Sequence, residues 1–167
     1  GMWAYGASRI LDFLFTLDEI DAAHTAVIGH SRLGKTALWA AAQDERFWCA
    51  VSNNSGYGGA ASSKGGSGER VKDFIHAGSW DWFCENFKDY VDDLEDKKPY
   101  DQAFLLALIA PRLLYVGSAE QDKGADPESE FLTALYASQA WELLGKPKLI
   151  TPDRLPKPGD CFGKGCV

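Results

Sequence analysis

No apolar run in this chain approaches the roughly 20 residues that cross a bilayer, and no signal peptide is legible in it. Basic clusters are also missing. With a net charge of −7, the chain has no electrostatic footprint for nucleic acid. Four cysteines are too few for a disulfide scaffold. Cys161 and Cys166 can close a local loop, whereas Cys49 and Cys84 stand among aromatic residues as buried thiols do. Spacing does not fix their pairing. No histidine lies near Cys161 and Cys166, which argues against a zinc site. What the chain does have is 46% hydrophobic and 13% aromatic content in 167 residues, enough for one globular core.

The periodicity alternates. Trp3, Ala7, Ile10, Leu11, Leu14 and Phe15 recur at helical spacing, so the opening segment reads as an amphipathic helix. A polar connection over 18–24 leads into a short strand over 25–28, a helix over 33–43 and a second strand over 48–52. A long excursion follows over 53–100, with the surface-loop composition Ser62-Ser-Lys-Gly-Gly-Ser-Gly68. Next come a helix over about 101–109 ended by Pro111, and a third strand over 112–117. Asp126-Pro127 starts a helix that should bury Phe131, Leu132, Leu135 and Tyr136, with Gly145 at its end. Residues 148–151 read as a fourth strand, and the tail after Pro152 is Pro- and Gly-rich without periodicity. Strands alternating with helices predict a parallel α/β sheet covered on both faces.

The most informative stretch is Val27-Ile-Gly-His-Ser-Arg-Leu-Gly-Lys-Thr36. A short β-branched run meets Gly29 and Ser31, and a helix follows. This strand–turn–helix context turns a serine into a nucleophile. The turn strains Ser31, so its neighbours must be small, and Gly29 and Gly34 are. The usual elbow has its second glycine two residues after the serine, where Leu33 stands here.

Gly29-His-Ser31-Arg32-Leu-Gly34-Lys35 resembles the nucleophile motif of the glucuronoyl esterases, carbohydrate esterase family 15. Further blocks fall in that family's order. They are Asn53-Asn-Ser-Gly-Tyr-Gly-Gly-Ala60, Gly68-Glu69, Trp82-Phe-Cys-Glu-Asn-Phe87, Leu106-Ala-Leu-Ile-Ala-Pro-Arg112, Ser118-Ala-Glu-Gln-Asp122 and Ala125-Asp-Pro127. The resemblance covers most of residues 2–145 and implies an α/β-hydrolase three-layer sandwich with a mostly parallel sheet. It also implies that 1–167 is one partial domain, the C-terminal half. The N-terminal strands and the segment bearing the catalytic histidine would then lie outside it. Such a piece should leave sheet edges and an apolar face uncovered.

By resemblance Ser31 is the nucleophile and Arg32 helps form the oxyanion hole, where a guanidinium suits a developing negative charge. Lys35 and Glu69 match residues that hold sugar hydroxyls. Many relatives carry the triad glutamate after the second strand, where this chain has Asn54, and an amide cannot stabilise an imidazolium by charge. Some bacterial members use a carboxylate after the next strand. Asp122 matches it, with Glu120 in reserve. Gly124 stands where the family has a tryptophan that packs on the sugar, and Trp80 and Trp82 are candidate substitutes. His24, His30 and His76 all precede Asp122, so none has the histidine's place in the order Ser…Asp…His. Without that base the chain should be inactive.

The implied chemistry is hydrolysis of 4-O-methyl-glucuronoyl esters between glucuronoxylan and lignin alcohols, or of small glucuronate esters. It needs no cofactor or metal and implies secretion or a periplasmic location. Two other readings stand beside it. One is a non-catalytic carbohydrate-binding relative, and the other an esterase of another α/β-hydrolase branch, which leaves Arg32, Gly34 and Lys35 together unexplained.

Overall fold

A computed structural model of the chain describes residues 1–76, 78, 84–86 and 98–163. Three strands, β1 (Ala26–His30), β2 (Cys49–Asn53) and β3 (Leu113–Gly117), form one parallel sheet in that order. Their register is flush. Ala26 pairs with Cys49 and Cys49 with Leu113, while His30 pairs with Asn53 and Asn53 with Gly117, so all three strands end at one level. Loops leaving the C-terminal ends of parallel strands converge on one edge, where α/β folds place their ligands.

Helix α2 (Arg32–Gln43) joins β1 to β2 and packs on both. Between β2 and β3 run α3 (Val71–His76) and α4 (Gln102–Ala107). After β3 come α5 (Pro127–Ala137) and α6 (Gln139–Leu143), and α1 (Met2–Leu14) lies against α2. Strand residues alternate between two faces. On one face Ala50, Ser52 and Leu114 are buried, and Val27, Gly29 and Val116 are half-buried beside them. This face carries the core of Leu38, Leu106, Ile109, Ala134 and Trp141. On the other face Ile28 is 73% and Tyr115 53% exposed. Among the described residues, then, the helices cover one face, not the two that alternation alone predicts, and the apolar face expected to stay uncovered is the one bearing Ile28 and Tyr115. The strands follow the order β1-β2-β3 in one direction, so right-handed crossovers put every connecting helix on the same side.

Four other expectations need correction. Residues 148–151 form no strand. Pro147 and Pro152 bracket a four-residue stretch in which Leu149 turns into the core and Ile150 faces out. In α1 the buried residues are Ala4 and Leu11, one heptad apart, while Trp3, Ile10 and Phe15 are exposed. The contact with α2 is narrow enough that small Ala4 serves it better than an aromatic ring. In α5 the buried face is Ser129, Glu130, Thr133, Ala134 and Ala137, and Tyr136 is exposed. A polar anchor, described below, rotates that helix away from its most apolar stripe. Finally, Cys84 is exposed and Cys49 only half-buried, and Cys166 lies outside the described residues.

Close packing of α2 on the sheet has one cost. Ser52 Oγ is buried without a hydrogen-bond partner among the described residues, 3.2 Å from where a side chain on Gly34 would begin. An unpaired buried hydroxyl is unfavourable by about 1–3 kcal/mol. Ser52→Ala is therefore expected to leave the urea midpoint unchanged or raise it, by up to about 1–2 kcal/mol of unfolding free energy. A clear loss of stability would mean that Oγ has a partner.

Candidate active site

The turn between β1 and α2 is the sharpest feature of the sheet's C-terminal edge. Ser31 adopts φ +54°, ψ −123°, a conformation that a residue with a Cβ holds only under constraint. The constraint comes from both sides. The Ser31 N–H donates to Asn53 O at 2.9 Å, and its carbonyl accepts from the Lys35 N–H at 3.1 Å. A Cβ on Gly29 would lie 2.1 Å from Leu33 O, and one on Gly34 would meet Ser55 Cβ at 3.0 Å. Both glycines are thus steric necessities. Leu33 is 52% exposed, so the position that is usually glycine tolerates a large side chain because it points outward. The Ser31 hydroxyl does not cap α2, and the residue is exposed. A capping role, the ordinary use of serine at a helix start, is therefore excluded.

Beside the elbow, the loops after β2 and β3 are tied together. Asn54 stands at φ +44°, and its N–H donates to Gly117 O at 2.8 Å. Its side-chain Nδ2 donates to Asp122 Oδ2 at 2.8 Å. Asp122 is half-buried in the turn after β3, and its Oδ1 accepts from the Ala125 N–H at 3.3 Å. The fold thus brings the two alternative acid positions into direct contact. Glu120 is exposed and borders a groove of about 410 Å³ that Tyr115, Lys123, Phe131 and Phe162 also line. That groove reaches neither Ser31 nor Asp122.

The described histidines are engaged elsewhere. His30 Nδ1 pairs with Asn53 Nδ2 at 3.0 Å. His24 Nδ1 pairs with Asp21 Oδ2 at 2.6 Å, before the start of β1, with its ring edge-on to Trp48. The side chain of His76, and Trp80 and Trp82 altogether, lie outside the described residues.

Lys35, one turn into α2, donates its ammonium to the backbone carbonyls of Ser55 and Tyr57, the latter at 2.7 Å. Burial pulls its pKa below the usual lysine value, against the opposing charges of Glu69 and Glu130. Two of its three protons thus serve the loop after β2. Glu69 is exposed, and its N–H donates to Gly124 O at 2.9 Å. Its carboxylate folds over Gly124, 3.3 Å from where a Cβ would stand. The missing aromatic ring therefore leaves a place that the Glu69 side chain occupies.

Three further carboxylates hold this arrangement, Asp126 among them already marked in the sequence as a helix start. Glu130, fully buried on α5, accepts at Oε1 from the Ser55 N–H (2.8 Å), Ser55 Oγ (3.0 Å) and the Gly56 N–H (2.9 Å). Its Oε2 accepts from Ser118 Oγ at 2.5 Å. Asp126, at φ +54°, caps α5 through the Ser129 N–H and takes the N–H groups of Ser67 and Gly68. Asp101 binds the Ser63 N–H and the hydroxyls of Ser62 and Ser63. A signal for Glu130 was legible, since it lies on the helical stripe of Ala134, Ala137 and Trp141. Among the described residues no His/Cys/Asp/Glu cluster suits a metal ion.

Comparison with known proteins identifies close relatives. A family model described as glucuronyl esterase of fungi matches residues 1–145. A carbohydrate esterase from an unknown prokaryotic organism is 49% identical over 143 residues, which cover 86% of this chain and 33% of that protein. The 4-O-methyl-glucuronoyl methylesterase of Hypocrea jecorina is 35% identical over 153 residues, covering 86% of this chain and 32% of its own length. A solved glucuronoyl esterase from Solibacter usitatus superposes with a TM-score of 0.87 at 45% identity, over 98% of this chain and 41% of that one. The chain thus spans about a third of the length of these curated relatives.

The buried Glu130 has a measurable consequence. Burial raises its pKa above the ordinary 4.5, against the pull of its hydrogen bonds to Ser118, Gly56 and Ser55. A carboxyl with a raised folded pKa binds more protons when folded, so its contribution to stability falls as pH rises from 4.5 toward the folded value. In Glu130→Gln that titration is missing. The wild type minus variant difference in unfolding free energy should decline across that window, read from urea curves between about pH 4 and about pH 8. A difference that grew with pH would contradict the assignment.

Proposed function

The chain belongs to the glucuronoyl esterase family of α/β-hydrolases, and on that premise we propose that it carries catalytic parts of a serine carboxylic-ester hydrolase acting on 4-O-methyl-glucuronoyl esters. The observation that carries this reading is the strained, uncapped and exposed Ser31, at the sheet edge where the Asn54–Asp122 pair also lies. Ser31 Oγ attacks the ester carbonyl, and the oxyanion forms at the N-terminus of α2, where backbone N–H groups and Arg32 meet it. Collapse of the tetrahedral intermediate expels the alcohol and leaves a glucuronoyl–serine ester, which water then hydrolyses. Asp122 orients and stabilises the imidazolium that carries the proton between these steps.

Lys35 and Glu69 face each other's charge across the loop after β2 and are the groups assigned to the sugar. The remaining ammonium proton of Lys35 donates to a ring hydroxyl, and Glu69, free of the tryptophan that relatives place at Gly124, accepts from another. The substrate's setting, the ester between glucuronoxylan and lignin alcohols, and secretion into it follow from the family. Glu120 is the weaker candidate for the acid, being exposed on the neighbouring groove.

A second reading, a sugar-binding relative without turnover, draws support from the amide at Asn54 and from the engagement of His24 and His30 elsewhere. One assay separates the two. Hydrolysis of benzyl glucuronate is followed with imidazole added as an exogenous base, in the wild type and in Ser31→Ala. Imidazole-dependent release of benzyl alcohol is expected, reduced about a thousandfold or more in the variant. Equal rates in both would remove Ser31 as the nucleophile. Saturable glucuronate binding with no hydrolysis by either would favour the sugar-binding protein.

A further inference from the structure

The Asn53-Asn54 dipeptide touches both halves of the site. The Asn53 carbonyl accepts the Ser31 N–H, while the Asn54 N–H is fixed to Gly117 O and its side chain to Asp122. Asn54 is also one of only three non-glycine residues with positive φ among the described residues, at +44°. Asparagine tolerates that region better than most residues, and the clamp to β3 holds it there. Backbone and side chain are therefore both committed to one geometry, whose end point is a single carboxylate oxygen.

From this the geometry points to Asn54 as a positioning residue, whose amide fixes the orientation of the Asp122 carboxylate. The inference rests on the reading of Asp122 as the acid that faces the imidazole. With Oδ2 taken by Asn54 at 2.8 Å and Oδ1 only loosely held by the Ala125 N–H at 3.3 Å, the carboxylate cannot spin about its terminal bond. Oδ1 keeps capacity for a second, stronger donor, and an imidazole N–H is such a donor. A neutral amide suits this task better than a carboxylate. A second carboxylate at the same distance would force the pair to share a proton or repel. Alanine would leave Oδ2 without its donor and the ring nitrogen without a fixed target.

Two measurements on the whole chain test this. The first is solvent exchange of the Asn54 side-chain NH₂ protons in ¹H–¹⁵N spectra. In the wild type the bond to Asp122 should protect them, and in Asp122→Ala the protection should vanish. The second is benzyl glucuronate hydrolysis in the presence of imidazole by Asn54→Ala. The expected result is a loss of roughly tenfold in kcat with KM unchanged, the size of one hydrogen bond to a charged acceptor. An Asn54 amide that exchanges as fast in the wild type as in Asp122→Ala overturns the inference, as does a variant whose KM rises while kcat stays. Should the wild type hydrolyse no ester at all, the esterase reading fails on its own. The amide exchange then still decides whether Asn54 holds Asp122.

Discussion

One buried carboxylate organises this edge of the sheet. Flush parallel strands deliver their chain ends to one level, but nothing in a sheet fixes the loops that leave it. Glu130 reaches in from α5 and gathers the loop after β2 through Ser55 and Gly56, and the loop after β3 through Ser118. Taking a carboxylate out of water costs several kcal/mol even after relaxation. Hydrogen bonds to a charged group return about 1.5–3 kcal/mol each, and even with four of them burial still raises the Glu130 pKa, so the loss of any one would leave the carboxylate further short. The arrangement is stable only when complete. This is why both serines and the Gly56 N–H must be in place together, and why the loop has one conformation.

The second constraint is steric. Gly29 and Gly34 leave no room for a Cβ, the first against the backbone of Leu33 and Gly34, the second against Ser55 Cβ and Ser52 Oγ, so Gly29, Gly34, Ser52 and Ser55 form one layer of small residues. That layer lets α2 sit low on β1 and β2, which in turn drives Ser31 into its left-handed turn. The unpartnered hydroxyl of Ser52 lies in the same layer, so the fold accepts a local loss of stability where the elbow needs closeness. Lys35 links the two constraints. Rooted on α2 behind the elbow, it holds the carbonyls of the very loop whose N–H groups Glu130 holds.

Much of this was legible in the sequence, and the parts that were not share a physical character. The strands, the elbow and the helices α1, α2 and α5 announce themselves through periodicity and through Gly29 and Pro127, both local signals, whereas the one helix expected to run to Gly145 breaks at Ser138 into α5 and α6. The failures are tertiary. Trp3 and Ile10 suit a helix's inner face by period, but the partner helix accepts only Ala4 and Leu11. Phe131 and Leu135 form the more apolar stripe of α5, yet Glu130 turns the helix, because an unsatisfied loop costs more than a half-exposed leucine. Residues 148–151 look like a strand until Pro147 and Pro152 are weighed. Polar anchors are hard to read because their partners, Ser55 and Ser118, lie 75 and 12 residues away and carry no pattern.

The residues of the candidate site divide along the same line. Ser31 is marked by its own neighbours, whereas Asp122 is fixed by a residue 68 positions earlier. By the resemblance alone, the amide at Asn54 reads as lost function. The geometry gives it another meaning. With Glu130, Asp122 and Glu69 already gathered around the loop after β2 and one partly desolvated ammonium at Lys35, a further carboxylate would add like charge where burial already disfavours it. An amide supplies the same reach and donates to Asp122 without adding charge, so the bond that ties the loop after β2 to the loop after β3 costs no further desolvation of an ion.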